Sequence, residues 1–397
     1  MKLKTVITAL VISFLFSCGP DLSTDLSGEI LENVTTLGLS FGDEKTIDKD
    51  EYLLANPIGI IVTNNDDIIV SDEYSLKVYD SDGNPKKIIG GRGQGPGEFE
   101  QIPFPFITET GYISADTDIS HFKYNIFAPD YSFVERKNLQ FSGLKEKLME
   151  DNDWIDVRFN PVLYYSNEEL LLYTMANEEI KGKIMSLIYA LVYQNDKDVT
   201  TLYAAKHPIE KREIFSERGG LFFGLLKDRR IAYTYAAEHK AFENGTWIYS
   251  MFVYDLKTHD QAEIKKTYIP VAIPDSVIHR KVNIPEFFKE GSRNLIFEKE
   301  KERSKMLEEL KAYPAVQNLM TDGDFIFAFT FEYEKGKGRI VDIFDSKTGK
   351  YLRSAYFSII PEVIKNGYIY KFNDWLRDNE FPKVEKYKIV SAVYEKF

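Results

Sequence analysis

Between Ile68 and Phe99 the chain reads IIVSDEYSLKVYDSDGNPKKIIGGRGQGPGEF, and no other stretch constrains the fold as strongly. An apolar run, Ile68–Val70, ends in Ser71-Asp72. A second run, Leu76–Tyr79, ends in Asp80. Asp82-Gly83 supplies a turn, and Lys86–Ile89 supplies a third strand. Short strands separated by Asp-Gly-type turns read as antiparallel hairpins. Gly90 to Gly97 then forms a glycine-rich passage before Phe99. The order is most of one four-stranded blade, followed by the loop that hands the chain to the next.

The same unit recurs, loosely, along the chain. An apolar-aromatic strand followed by a polar turn appears at Val78-Tyr79-Asp80, Ile126-Phe127-Ala128, Val192-Tyr193-Gln194, Val253-Tyr254-Asp255 and Ile343-Phe344-Asp345. Each is preceded by another apolar strand, at Ile68–Val70, Tyr112–Ser114, Leu170–Tyr173, Arg230–Tyr235 and Phe325–Phe329. A sixth copy fits Tyr368–Phe372 and Lys386–Val390. That spacing allows about 45 to 65 residues per repeat, against the about 40 to 50 that a four-stranded propeller blade needs. The expected fold is therefore an all-β, six-bladed β-propeller over residues 34–397, built of four-stranded antiparallel blades. The strand near Thr36–Phe41 is expected to complete the last blade. Phenylalanine and tyrosine, at 28 and 25 residues, suit strands. One stretch departs from the pattern. Residues 284–313 are charged and helical in period, with Phe287, Leu295, Met306 and Leu310 on one face, Pro285 at the start and Pro314 at the stop. We read it as a helical insertion between blades four and five that covers the propeller rim.

The N-terminus carries a different message. Lys2 and Lys4 precede an apolar stretch, Val6–Phe16, too short to span a bilayer and right for a signal peptide. Leu15-Phe16-Ser17-Cys18 resembles a bacterial lipobox, and Cys18 is the only cysteine. The resemblance implies a lipoprotein signal peptide over residues 1–18 that is cleaved just before its lipobox cysteine, lipidation of Cys18 as the new N-terminus and a membrane partner through that anchor. Residues 19–33 are polar and read as a flexible tether. The expected location is the bacterial cell envelope, as an outer-membrane lipoprotein.

The segments Val70-Ser71-Asp72, Val78-Tyr79-Asp80, Asp82-Gly83 and Gly91 to Phe99 resemble the NHL-type repeat. They are more similar still to the TolB-like, six-bladed propeller lipoproteins of gut-type bacteria. The likeness is close over Asn56–Leu139 and elsewhere is a blade pattern only. It implies a fold and no single activity, because propellers host enzymes, receptors and scaffolds alike.

Chemistry-bearing motifs are sparse. The histidines His121, His207, His239, His259 and His279 are scattered, without zinc spacing. The glycine-rich loop lacks the third glycine of a dinucleotide fingerprint and any Gly-Lys-Ser/Thr. A net charge of −12 disfavours nucleic acid as a partner. Strand parity supplies one constellation. In a blade, the loops joining the second and third strands share a face with the loops crossing to the next blade. That places Asp72, Asp116, Asn177, Glu238, Glu332 and Asp374 on one rim, with Arg92 and Gln94 of the glycine-rich loop beside them. A ring of this kind is a candidate ligand-binding site for a protein, peptide or glycan, and a divalent cation at the propeller axis is compatible with it. No cofactor is expected. The expected function is binding or scaffolding at the envelope. The alternative is a metal-dependent hydrolase or lyase working at the axis.

Overall fold

A run such as Ile68-Ile69-Val70 has no alternation, so a strand of this kind is buried on both faces. The computed structural model shows why. It describes residues 30–118, 123–139, 141–166, 169–195, 198–283, 289–375 and 380–396. These fold into six antiparallel sheets arranged as the blades of a propeller. Ile68 and Val70 pack toward the sixth blade, against Phe41, Tyr370 and Val384, while Ile69 packs toward the second, against Ile113, Ala115 and Phe127. The core is thus divided into layers, one between each pair of neighbouring blades.

Strand β1 (Thr35–Phe41) precedes the first blade. Blade 1 is β2 (Pro57–Val62), β3 (Ile68–Asp72), β4 (Ser75–Tyr79) and β5 (Pro85–Gly90); blade 2 is β6 (Pro105–Ile107), β7 (Ile113–Asp118), β8 (Lys123–Phe127) and β9 (Phe133–Asn138). Helix α1 (Ser142–Asn152) leads to blade 3, made of β10 (Trp154–Ser166), β11 (Glu169–Ile180), β12 (Lys183–Gln194) and β13 (Val199–Pro208). The short α2 (Phe215–Arg218) precedes blade 4, which has β14 (Leu221–Leu226), β15 (Arg230–Tyr235), β16 (Lys240–Glu243), β17 (Thr246–Asp255) and β18 (Gln261–Tyr268). Helices α3 (Asp275–Ile278) and α4 (Glu290–Leu310) follow. Blade 5 is β19 (Val316–Asp322), β20 (Phe325–Glu334), β21 (Gly338–Asp345) and β22 (Lys350–Phe357); blade 6 contributes β23 (Val363–Lys365), β24 (Tyr368–Phe372) and β25 (Val384–Ile389).

The fourth strand of blade 6 is β1, which runs antiparallel to β25 from Thr35 opposite Ile389 to Phe41 opposite Val384. The two ends of the chain therefore close the ring, and an edge that would otherwise template pairing with another chain is covered. Blade 4 departs from the expected four strands: β16 adds a fifth, paired to the leading half of β17. The expected tether also needs correction at its end. Residues 30–33 are docked on blade 5, where the Leu31 N–H donates to the Ser354 carbonyl at 3.0 Å and the Tyr356 N–H donates to the Leu31 carbonyl at 2.8 Å. Cys18 and the signal segment lie outside the described residues.

The insertion is helical, but its boundaries and buried face differ from the sequence reading. Pro285 and Phe287 lie outside the described residues, and α4 begins at Glu290. Leu295 is exposed. The buried face is centred on Leu307 and Arg303, with Met306 and Leu310 partly buried against Ile214, Ile273 and Ile278. Arg303 donates to Glu300 at 2.9 Å and to the Val277 carbonyl at 3.0 Å, and it pairs with Glu217. A buried charge needs such partners. A pattern of apolar residues alone cannot reveal a helix face built around an arginine.

Candidate functional site

The innermost strand of each blade begins at the face where the chain crosses between blades. The hairpins joining second and third strands open on that same crossing face. The opposite face carries the turns from first to second strands, and these are knit together. The Asn64 side chain donates to the Glu109 carbonyl at 3.0 Å, linking blades 1 and 2. The Glu109 carboxylate accepts from the Arg229 N–H at 2.8 Å, reaching blade 4, while Arg229 also pairs with Glu169 of blade 3. The Lys227 N–H donates to the Gly323 carbonyl at 3.1 Å, joining blades 4 and 5. Asp322 accepts from the N–H groups of Asn366 and Gly367 at 2.8 and 2.9 Å, and Asn366 donates to Asp66 at 2.7 Å, returning to blade 1. This circuit runs through all six blades and forms a rigid floor. Function is then expected at the crossing face.

The predicted rim residues do reach that face, but they are used differently. Asp72 ends β3 with its carboxylate fully buried. It accepts from the Ala55 N–H at 3.1 Å, the Asn56 N–H at 2.6 Å and the Lys77 ammonium at 2.7 Å. Asp116 in β7 holds the Phe104 N–H at 2.5 Å and the Gln101 side chain at 3.2 Å. Each aspartate thus clamps the residues that enter its own blade's first strand, just ahead of Pro57 and Pro105. Their side chains are engaged within the fold. Blades 4 and 5 place Thr234 and Thr330 near the ends of their second strands, and each donates to a backbone carbonyl of its own blade.

The others are more open. Arg92 stacks over the Tyr74 ring at 4.9 Å. Gln94 donates to Glu100 at 3.2 Å, and Arg136 binds the carbonyls of Gln94 and Gly95 from below. A side chain at Gly90, where φ is 77°, would collide with the Phe99 ring, so the glycines here serve the crossing itself. Asn177 is partly buried opposite Ile155. Glu238 is exposed, 3.7 Å from Arg218. Asp374 is exposed. Glu332 is half-buried; burial and the nearby Asp342 carboxylate push its carboxyl above the ordinary value, against the pull of Lys266. The structure therefore does not bring the rim acids together into one centre. Among the described residues, no group of three or more His, Cys, Asp or Glu side chains is placed to hold a metal ion.

What the crossing face does gather is apolar surface. Ile180, Ile184 and Met185 stand at the tip of the β11–β12 hairpin, with Met149 of α1 opposite. Phe242 and Trp247 stand on the β16–β17 hairpin, Tyr333 on the β20–β21 hairpin and Phe381 between β24 and β25. Phe104, Ile269, Leu295, Phe297 and Ile360 lie on the crossing segments. All are exposed. Of the other large, apolar, exposed side chains among the described residues, Tyr112 and Val390 lie on the floor side, and Leu37, Phe133 and Val134 lie on the outer strands β1 and β9. A groove of about 610 Å³ runs between α1 and the blade 3 hairpin, lined by Met149, Trp154, Ile155 and Ile180 with Glu150, Asp153, Glu178 and Glu179. Sequence reasoning passed over these residues because it searched for charge. One signal was available: Asn244-Gly245 between Ala241-Phe242 and Trp247-Ile248 is a hairpin turn flanked by aromatics. Asn244 and Gly245 have φ of 51° and 82°.

Comparison with known proteins agrees with the architecture. The profile of the 6-bladed beta-propeller family matches residues 47–273. A search of curated proteins finds no significant sequence match. Among solved structures, the chain is similar to a Bacteroides fragilis NCTC 9343 protein provisionally described as exported, with a TM-score of 0.44 and 14% identity over 92% of this chain and 98% of that one. It is similar to the Neurospora crassa Pan2 WD40 domain, at 0.40 and 8% over 93% and 99%. It is also similar to a streptogramin B lyase, at 0.36 and 9% over 84% and 94%. None of these likenesses bears on activity.

Proposed function

Because this chain belongs to the 6-bladed beta-propeller family, we propose that it is a binding or scaffolding module of the bacterial envelope, held to the outer membrane by lipid on Cys18 and presenting its crossing face to a ligand. The observation that carries this reading is the asymmetry between the two faces. One face is tied into a hydrogen-bonded floor. The other exposes Ile180, Met185, Phe242, Trp247, Leu295, Phe297 and Tyr333. Apolar and aromatic groups concentrated on one side of a folded protein are what a binding surface supplies, and aromatic anchors carry much of the energy of recognition. Arg92, Gln94, Asn177, Glu238, Glu332 and Asp374 then act as the polar border of that surface. Asp72 and Asp116 hold the loops that shape it.

The test uses single cysteines introduced at Phe242 and Ile180 on the crossing face and at Tyr112 and Val390 on the floor side. Maleimide labelling is compared in intact cells and on purified protein. Shielding of the crossing-face positions in cells, lost on purification, is the expected result. Equal reactivity of the two faces in cells would overturn the reading. The anchor is tested separately: Cys18→Ala should move the protein from the detergent phase to the aqueous phase.

A further inference from the structure

No residue of the fifth strand of blade 4 enters the core clusters that pack this blade against its neighbours. The β15–β17–β18 ladder is complete without β16, which the Asn244-Gly245 turn folds back as a projection on the crossing face. On one side of this projection three strands place three rings in a cross-strand row. Phe242 pairs with Trp247, and Trp247 pairs with Tyr268. Their centroids are 5.3 and 6.3 Å apart. Phe242 is 61% exposed and Trp247 37% exposed, large values for aromatic side chains within a sheet. Tyr268, 9% exposed, packs in the core between blades 4 and 5, so the exposed strip is Phe242 and Trp247, one ring wide and two rings long. It suits a chain of flat, partly apolar units better than a broad protein surface.

The next row on the same side is Lys240, Tyr249 and Lys266. Lys266 already pairs with Asp342 at 3.2 Å, and the Tyr249 hydroxyl donates to the same carboxylate at 2.8 Å. Lys240 is different: among the described residues no carboxylate lies within ion-pair distance of it. Burial, and then the charge of Arg218, lower the proton affinity of Lys240. The Lys240 ammonium thus stands partly buried without a paired carboxylate, in a chain of net charge −12. A partly buried charge left unpaired is costly, and an anion placed beside it offsets that cost.

We propose that the exposed Phe242–Trp247 pair, with Lys240 in the next row on the same side, is a binding site for an acidic sugar chain, a pyranose oligomer carrying carboxylate or sulfate groups. The apolar faces of the sugar rings stack on the two exposed aromatic rings, and the acidic substituent meets the Lys240 ammonium. This rests on the crossing face being the binding face and names the ligand class it takes.

The experiment titrates the purified full chain in detergent with oligogalacturonate, a heparin-derived hexasaccharide and neutral cellohexaose, followed by calorimetry and tryptophan fluorescence. At least one acidic oligomer should bind more tightly than the neutral one, and rising salt should weaken it. The carboxylated and sulfated probes separate the two sources of charge. Trp247→Ala should weaken binding at least tenfold. Lys240→Met should remove the preference for acidic over neutral oligomers. Phe242→Ser, at the most exposed ring, serves where Trp247→Ala does not fold. Absence of binding by both acidic probes, or binding unchanged in the folded ring variants, would overturn the proposal. If sugars fail while the crossing-face cysteines remain shielded in cells, the row serves a protein partner: the sugar site is then refuted and the binding face stands.

Discussion

Removing the charge of Asp72 tests whether the rim aspartates are structural clamps. The carboxylate is fully buried and receives the N–H groups of Ala55 and Asn56 together with the Lys77 ammonium. Lys77 is itself 7% exposed and binds the Leu53 carbonyl as well. In Asp72→Asn, the amide presents one oxygen where two accepted, and its NH₂ group faces donors. The Lys77 charge stays buried without its partner. Breaking a buried pair by removing one member costs about 3 to 5 kcal/mol. Unfolding entropy of about 2.1 cal/mol/K per residue gives about 0.8 kcal/mol/K for a chain of 397 residues. The expected fall in Tm is then about 4 to 6 °C. Differential scanning calorimetry of wild type and Asp72→Asn measures it. Asp72→Asn with Lys77→Met removes the stranded charge and should recover much of the loss. A Tm for Asp72→Asn within about 1 °C of wild type would refute the clamp.

The remaining expectations concern closure, the insertion and pH. Deleting residues 35–41 removes the fourth strand of blade 6 and bares the β25 edge, so the truncated chain should melt earlier and self-associate; a monodisperse protein with an unchanged Tm would argue against closure through β1. Arg303→Ala strands Glu217 under α4, while Glu300 keeps its pair with Arg280, so amide exchange over residues 290–310 should accelerate while the blade strands keep their protection. Burial lowers the proton affinity of His239, to a pKa of about 4 from an ordinary 6.5. The unfolded chain therefore binds this proton between those values and the folded chain does not, so stability falls as pH drops from 6.5 toward 4. His239→Gln should flatten that part of the Tm–pH curve, and identical slopes would exclude a contribution from this ring.

The blades were legible because their signal is local. Ile68–Val70, Leu76–Tyr79 and Phe325–Phe329 are apolar runs bounded by turns, and each becomes a second or third strand buried between two sheets. The first strands were harder to see. Pro105–Ile107 and Val363–Lys365 are three residues long and line the interior of the ring, where one side of the strand meets no neighbouring sheet. Helix α1 also escaped notice, because Ser142–Asn152 is mostly polar and, among its described side chains, buries only Leu144 and Leu148.

The rim illustrates a different limit, one of interpretation. Strand parity placed Asp72, Asp116 and Glu332 on the correct face. Parity says where a residue stands along a strand; it does not say whether its side chain turns outward to solvent or inward to a backbone. Asp72 and Asp116 turn inward, because each incoming strand leaves N–H groups just ahead of its proline that no neighbouring strand satisfies. A carboxylate at the end of the adjacent strand is the nearest acceptor. The acids read as a ligand ring are thus partly a requirement of making a blade. Surface left free for recognition has to come from segments the blade does not need. The β16 hairpin is such a segment: its strand is additional, its turn is built by Asn244-Gly245, and its aromatic rings are exposed where a purely structural hairpin would carry polar groups.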